Sequence, residues 1–133
     1  MKVVLLCFVS ALLVAAQAEV PLKELIETCS KETGVPSEEL QQFLDSEMDP
    51  AEATNGIKCH MKCVLEKIGL YKNNMLDEAL TIKFFKDNNK DQPVDVEALK
   101  QSVQNCNQKK GVDPCDTAFQ IAKCFMSQHP IFN

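Results

Sequence analysis

The sequence predicts an all-α domain, a compact bundle of five to seven helices held by three disulfides. Two observations carry that prediction. Apolar residues recur at helical intervals between glycine and proline punctuation, with no β-alternation and no convincing hairpin signal. In addition, Cys59 and Cys63 stand four residues apart in a run that reads as helix. Side chains at i and i+4 project in parallel, with Cβ atoms about 5–6 Å apart, whereas a disulfide wants about 3.5–4.5 Å. Each thiol must therefore reach another segment, and the helix carrying Cys59-His60-Met61-Lys62-Cys63 becomes the hub of a cross-linked bundle.

The N-terminal residues read as a signal peptide over 1–18. Lys2 supplies the positive start, Val3 to Ala16 the apolar run, and Ala16-Gln17-Ala18 a small-x-small cleavage site. The run is short for a membrane anchor and no second hydrophobic span follows, so membrane insertion is not expected. The expected mature domain spans residues 19–133. Removing the signal discards Cys7 and turns seven cysteines into six, which suits three disulfides in a secreted, extracellular chain.

A first helix is expected over about Pro21 to Thr33, with Leu22, Leu25, Ile26 and Cys29 on one side and Gly34 and Pro36 ending it. Ser37-Glu38-Glu39 restarts a helix as a hydroxyl cap followed by acids, and Leu40, Phe43 and Leu44 form its apolar stripe. Asp49-Pro50 breaks it. Thr54 caps the hub helix, which is expected to run to about Gly69. At about 100° per residue, Ile57, Met61, Val64 and Ile68 share a narrow arc, with Cys59 and Cys63 roughly opposite. Asn73-Asn74 starts a fourth helical segment through Leu76, Leu80 and Phe84, and Asp87 to Gln92 is a loop. Pro93 opens a helix with Val96, Leu99, Val103 and Cys106 on one face and Gly111 as its stop. Asp113-Pro114 starts the last helix, through Ala118, Phe119, Ala122 and Phe125, and the tail to Asn133 is apolar enough to tuck back.

Six cysteines permit fifteen pairings. Cys59–Cys63 fails on geometry, and so does Cys115–Cys124, whose Cα atoms would lie roughly 13–14 Å apart along one helix. Ten pairings remain open on those grounds. Without Lys2, 13 lysines face 19 acids, a formal charge of −6, and the chain has no arginine. A nucleic-acid binder wants a basic stripe with arginine, so no nucleic-acid partner is expected. No Asn-x-Ser/Thr sequon occurs. Gly-x-Ser-x-Gly is absent, as are the Cys-Cys-x-x-His-Asp helix and glycine-rich calcium loop of a secreted lipase, so no catalytic residue is assigned. Cys59, His60 and Cys63 carry zinc-type donors, but zinc needs thiolates, which oxidise to disulfides on secretion. No metal and no cofactor are expected.

The cysteine row, Cys29-x29-Cys59-x3-Cys63-x42-Cys106-x8-Cys115-x8-Cys124, resembles the six-cysteine signature of insect odorant-binding and pheromone-binding proteins. The resemblance spans essentially the whole mature chain. It implies about six helices around a buried apolar cavity, and the pairing Cys29–Cys63, Cys59–Cys115 and Cys106–Cys124. It also implies a secreted carrier of small hydrophobic ligands (odorants, pheromones or related lipids) that moves them through sensory fluid towards membrane chemoreceptors, as a monomer or weak homodimer. The alternative is a non-sensory signalling, reproductive or lipid-scavenging protein on the same scaffold, because fold does not fix function.

The ligand-pocket candidates are Leu40, Phe43, Leu44, Met48, Ile57, Met61, Val64, Ile68, Leu80, Phe84, Leu99, Val103, Phe119, Ala122, Phe125 and Phe132. For each, plain core packing is the competing reading, since a ligand site and a core are both apolar. His129 is the candidate pH sensor, because histidine titrates near neutrality. His60 reads as the member of its pentapeptide least involved in binding, and Tyr71 as a partly exposed surface residue.

Overall fold

A computed structural model describes residues 21–129; the expected signal peptide at 1–18 and Phe132 in the tail lie outside the described residues. Helix α1 (Leu22–Thr33) stops where Gly34 takes φ 72°, a left-handed position that glycine enters without a Cβ penalty. Helix α2 (Ser37–Asp45) begins one residue earlier than its hydroxyl suggests: Pro36 holds the cap position and Ser37 is already helical. After a single 3₁₀ turn at Pro50–Glu52, helix α3 (Asn55–Ile68) starts at Thr54, whose hydroxyl accepts the Ile57 N–H at 3.2 Å. Gly69, at φ 92°, ends it.

The next segment departs from expectation. Asn73 and Asn74 do not start a helix; with φ of 52° and 63° they form the turn of a two-residue hairpin loop. Strand β1 (Tyr71–Lys72) pairs antiparallel with β2 (Met75–Leu76), Tyr71 opposite Leu76. Positive φ at both central residues is what a type I′ hairpin turn requires, and asparagine tolerates it. Two-residue strands are too short to reveal an alternation. The Asn107 side chain extends the ladder, accepting the Leu76 N–H at 2.7 Å and donating to the Leu76 carbonyl at 3.0 Å.

Helix α4 (Glu78–Asn88) then starts from Asp77, whose carboxylate accepts the Leu80 N–H at 2.9 Å. Helix α5 (Val96–Cys106) starts from Asp95, not Pro93, and ends well before Gly111. Gly111 instead serves a close approach. A Cβ there would run into the Asp116 carboxylate and lie 2.6 Å from the Asp116 carbonyl carbon. Helix α6 (Pro114–Gln128) has Pro114 in its first turn and Asp113 as its cap, accepting the Asp116 N–H at 2.8 Å.

Disulfides Cys29–Cys63, Cys59–Cys115 and Cys106–Cys124 join α1 to α3, α3 to α6 and α5 to α6. Helix α3 makes its most extensive contact with α6 and next with α1. Lys58 on α3 reinforces the first of these, with Nζ 2.9 Å from the Asp116 carboxylate and 5.4 Å from the centre of the Phe119 ring. The Lys58 ammonium, helped by the Val112 N–H, holds the buried Asp116 carboxyl below the usual carboxylate range.

Two apolar clusters fill the interior. One joins the hairpin, α4, α5 and α6 through Tyr71, Leu76, Phe85, Leu99, Val103, Ile121 and Phe125. The other joins Val35, Phe43, Ile57 and Phe119.

Candidate functional site

A cavity of about 820 Å³ opens alongside these clusters, lined by α1, α2, α3, α4 and α6 together with Met48, Leu70 and Leu76. The exposed side chains of Leu22, Ile26 and Leu44 line it where it reaches the surface. Its volume lies within the range of roughly 300–1,000 Å³ typical of small-molecule sites.

Eleven of the sequence candidates stand around this space: Leu40, Phe43, Leu44, Met48, Ile57, Met61, Val64, Ile68, Phe84, Ala122 and Phe125. Four do not, and each has a packing reason. Leu99 and Val103 sit on the α5 face that packs solidly against α6, in the same cluster as Ile121 and Phe125. Phe119 packs behind Phe43 and Ile57, beneath the Lys58 ammonium. Leu80 is exposed, because the residues before Glu78 are not helical and the inner stripe of α4 takes another phase. Phe132 lies outside the described residues.

That stripe is Thr81, Phe84, Phe85 and Asn88, spaced i, i+3, i+4 and i+7, and all four line the cavity. Thr81 is 1% exposed, and its hydroxyl has no hydrogen-bond partner. Asn88 and Asn89, at the exposed end, give their side-chain N–H groups to the carbonyls of Phe84 and Phe85, at 2.7 and 2.9 Å.

His60 corrects an expectation. It is buried and lines the cavity. Its Nε2 lies 3.1 Å from the Ile26 carbonyl and 3.2 Å from the Ser30 hydroxyl. A carbonyl only accepts, so Nε2 carries the proton and ties α3 to α1 beside the Cys29–Cys63 bridge. The signal was present in the sequence: on a helical wheel His60 falls only about 60° from Ile57, on the shoulder of the apolar arc. Lys67, a cation at the cavity wall, has its Nζ 3.1 Å from Glu32.

Tyr71 is also corrected. It is buried rather than partly exposed, its hydroxyl has no partner, and burial, followed by the Glu66 carboxylate, raises the pKa of its phenol. It belongs to the hairpin cluster and is not among the residues lining the cavity.

His129 closes α6 behind the cavity wall. Its ring centre lies 5.2 Å from that of Phe125 and 6.2 Å from that of Phe85. Ser102 Oγ donates to Gln128 Oε1 at 2.6 Å and lies 2.8 Å from His129 Nε2. A hydroxyl has one proton to give, so Nε2 is the donor in the second contact.

Among the described residues, no three His, Cys, Asp or Glu side chains gather as a metal site, and no helix is long and apolar enough to cross a membrane.

The sequence pattern of the PBP/GOBP family matches residues 13–128. General odorant-binding protein 56a of Drosophila melanogaster is 29% identical over 108 residues, 81% of this chain and 73% of that protein. Among solved structures, "Fatty acid binding protein OBP56a from the oral disk of the blowfly Phormia regina" superposes with a TM-score of 0.67 at 29% identity, covering 80% of this chain and 87% of the other. Odorant-binding protein dmelOBP28a from Drosophila melanogaster gives 0.61 at 25% identity, covering 80% and 88%.

Proposed function

The chain belongs to the PBP/GOBP family, and we propose that it is a secreted carrier that takes small hydrophobic molecules reversibly into its cavity. The observation that carries this reading is the cavity itself, about 820 Å³ of largely apolar space walled by five helices. Reversible sequestration needs no catalytic residue. Withdrawing about 200 Å² of apolar ligand surface from water is worth roughly 5 kcal/mol, at about 25 cal/mol per Å², before ordering costs.

The ligands in this reading are odorants, pheromones or related lipids, carried through extracellular sensory fluid to a membrane chemoreceptor by a monomer or weak homodimer. The blowfly relative described as a fatty acid binding protein supports the lipid end of that range. Secretion is supported by the Lys2 to Ala18 segment and by three disulfides, which persist in oxidising compartments. The eleven cavity-lining candidates named above are the proposed ligand contacts, and His60 joins them.

The test is uptake of an apolar fluorescent dye by the oxidised mature protein, followed by displacement with volatiles and long-chain lipids. Saturable uptake that such ligands reverse is expected; its absence would overturn the carrier reading. The same titration addresses His129. Protonation at Nδ1 would place a charge behind Phe85 and Phe125, so wild type should bind more weakly at pH 5 than at pH 7, and His129→Ala should not. Equal binding by both proteins at both pH values removes His129 from the reading.

A further inference from the structure

We propose that residues 36–53 form a flap over the mouth of the cavity, hinged at the backbone of Glu47 and Met48, and that ligands enter and leave when its tip lifts. The inference rests on the carrier reading above and specifies the path by which that cavity fills.

The flap runs out along α2, turns over residues 46–49 and returns through the 3₁₀ turn to Thr54. Its base is fastened to the start of α3. Val35, at the root of the outgoing arm, is buried and packs so closely on Gly56 that a Cβ there would lie 2.9 Å from Val35 Cγ2. The Thr54 hydroxyl, at the root of the returning arm, donates to the Glu39 carboxylate at 2.5 Å. The segment contains no cysteine, so no disulfide ties the flap down.

The tip is held differently. Glu47 and Met48 both take φ 58°, while every other positive φ among the described residues belongs to glycine or asparagine. A Cβ makes the left-handed region costly, and two such residues in succession store strain. The Glu47 N–H donates to the Leu44 carbonyl at 3.0 Å and the Met48 N–H to the Phe43 carbonyl at 3.1 Å. Packing enforces the turn: Met48 lies against the cluster of Val35, Phe43, Ile57 and Phe119. Strained backbone persists only where its surroundings impose it, and it gathers at clamps and switches. Lifting the tip gives up those apolar contacts but releases the strain, so the closed flap is held by a smaller margin than its packing alone would give. Phe43, Leu44 and Met48 all line the cavity, and a lifted tip widens it at Leu44, where it already reaches the surface.

The test is stopped-flow association and dissociation of a neutral naphthylamine dye with the oxidised mature protein. Glu47 is exposed and is not among the lining residues, so Glu47→Gly relieves strain without touching the ligand. It should slow association and dissociation together, each by roughly fivefold, and leave the dye affinity unchanged. Glu47→Val, whose branched Cβ suits positive φ still less, should speed both. Glu47→Gln removes the charge but keeps the Cβ, and should exchange dye like wild type. Asn74→Gly relieves a positive φ in the hairpin beside α4, the other helix without a cysteine, and should leave both rates alone. In wild type, the Met48 amide should exchange its hydrogen faster than the amides in the middle of α3. Unchanged rates in Glu47→Gly, a change in affinity with only one rate altered, equal slowing by Glu47→Gln, or equal protection of the Met48 and α3 amides would overturn the proposal. Slowing by Asn74→Gly alone would also overturn it and move the opening to α4. Any of these results with saturable dye uptake sinks the flap alone; no saturable uptake by wild type sinks the carrier reading with it.

Discussion

The cavity has two kinds of wall. Helices α1, α3, α6 and α5 are linked in that order by Cys29–Cys63, Cys59–Cys115 and Cys106–Cys124, so four of the six helices among the described residues form one covalently joined frame. Helices α2 and α4 carry no cysteine and are held by packing and by their chain connections. Both kinds line the cavity, but they contribute differently. The frame supplies the aliphatic arc of α3 and the buried His60 link; the unlinked pair supplies Phe43, Leu44, Phe84, Phe85 and the unpartnered Thr81. The difference separates two duties. Stability is concentrated in the frame, which frees the other wall to carry an unsatisfied hydroxyl.

The largest effect that would test this division comes from opening the frame. Cys59–Cys115 closes a span of 56 residues, and the chain-entropy account assigns it about 4 kcal/mol, against about 3 kcal/mol for the 18-residue span of Cys106–Cys124. Cys59→Ser/Cys115→Ser should therefore lower the urea midpoint more than Cys106→Ser/Cys124→Ser. The reverse order would show that local contacts, not covalent topology, hold the frame.

A smaller effect is expected at the ion pair between α3 and α6. The Asp116 carboxyl titrates below its usual value because Lys58 favours the charged form. Such a group stabilises the fold above the unfolded carboxylate pKa of about 4, and that contribution is lost as pH falls through the lower folded value. Asp116→Asn should unfold at lower urea than wild type at pH 7, with the gap closing as pH drops below about 4. A gap that stays constant down to pH 2 would mean the side chain acts by shape and not by charge.

The smallest stability effect belongs to the unlinked wall. Leu44 is 57% exposed, so Leu44→Ala should change stability by no more than about 0.5 kcal/mol. It should nonetheless weaken dye binding measurably, since Leu44 lines the cavity where it meets the surface. A stability loss with unchanged dye affinity would erase the distinction between the two walls.

Much of the frame was legible in the sequence because its signals are local. Gly34, Thr54, Gly69 and the Asp113-Pro114 pair act within one turn of the positions they punctuate. The hairpin was not legible, since four paired residues cannot display a period. That omission shifted the phase of α4, which put Leu80 inside and overlooked Thr81. The distinction between cavity and core was hidden for another reason. Leu99 and Val103 follow the same apolar spacing as Ile57 and Met61, and only the partner helix decides whether that face meets packed side chains or open space. His60 was judged by residue type, although its angular position already placed it beside the apolar arc.

The disulfide connectivity also bears on how the chain reaches this state. No cysteine is bonded to its nearest neighbour in sequence: Cys59 bypasses Cys63, and Cys106 and Cys124 both bypass Cys115. As the chain emerges during synthesis, Cys29 meets Cys59 before Cys63 exists, so oxidation in order of appearance yields the wrong bridge. Helix formation opposes this, because a formed α3 disfavours a Cys59–Cys63 bridge and a formed α6 keeps Cys115 from Cys124. Helices form in about a microsecond or less, whereas disulfides form and reshuffle in seconds to hours. Secondary structure thus acts as a proofreader of thiol chemistry, and the correct bridges record a bundle that was already assembled.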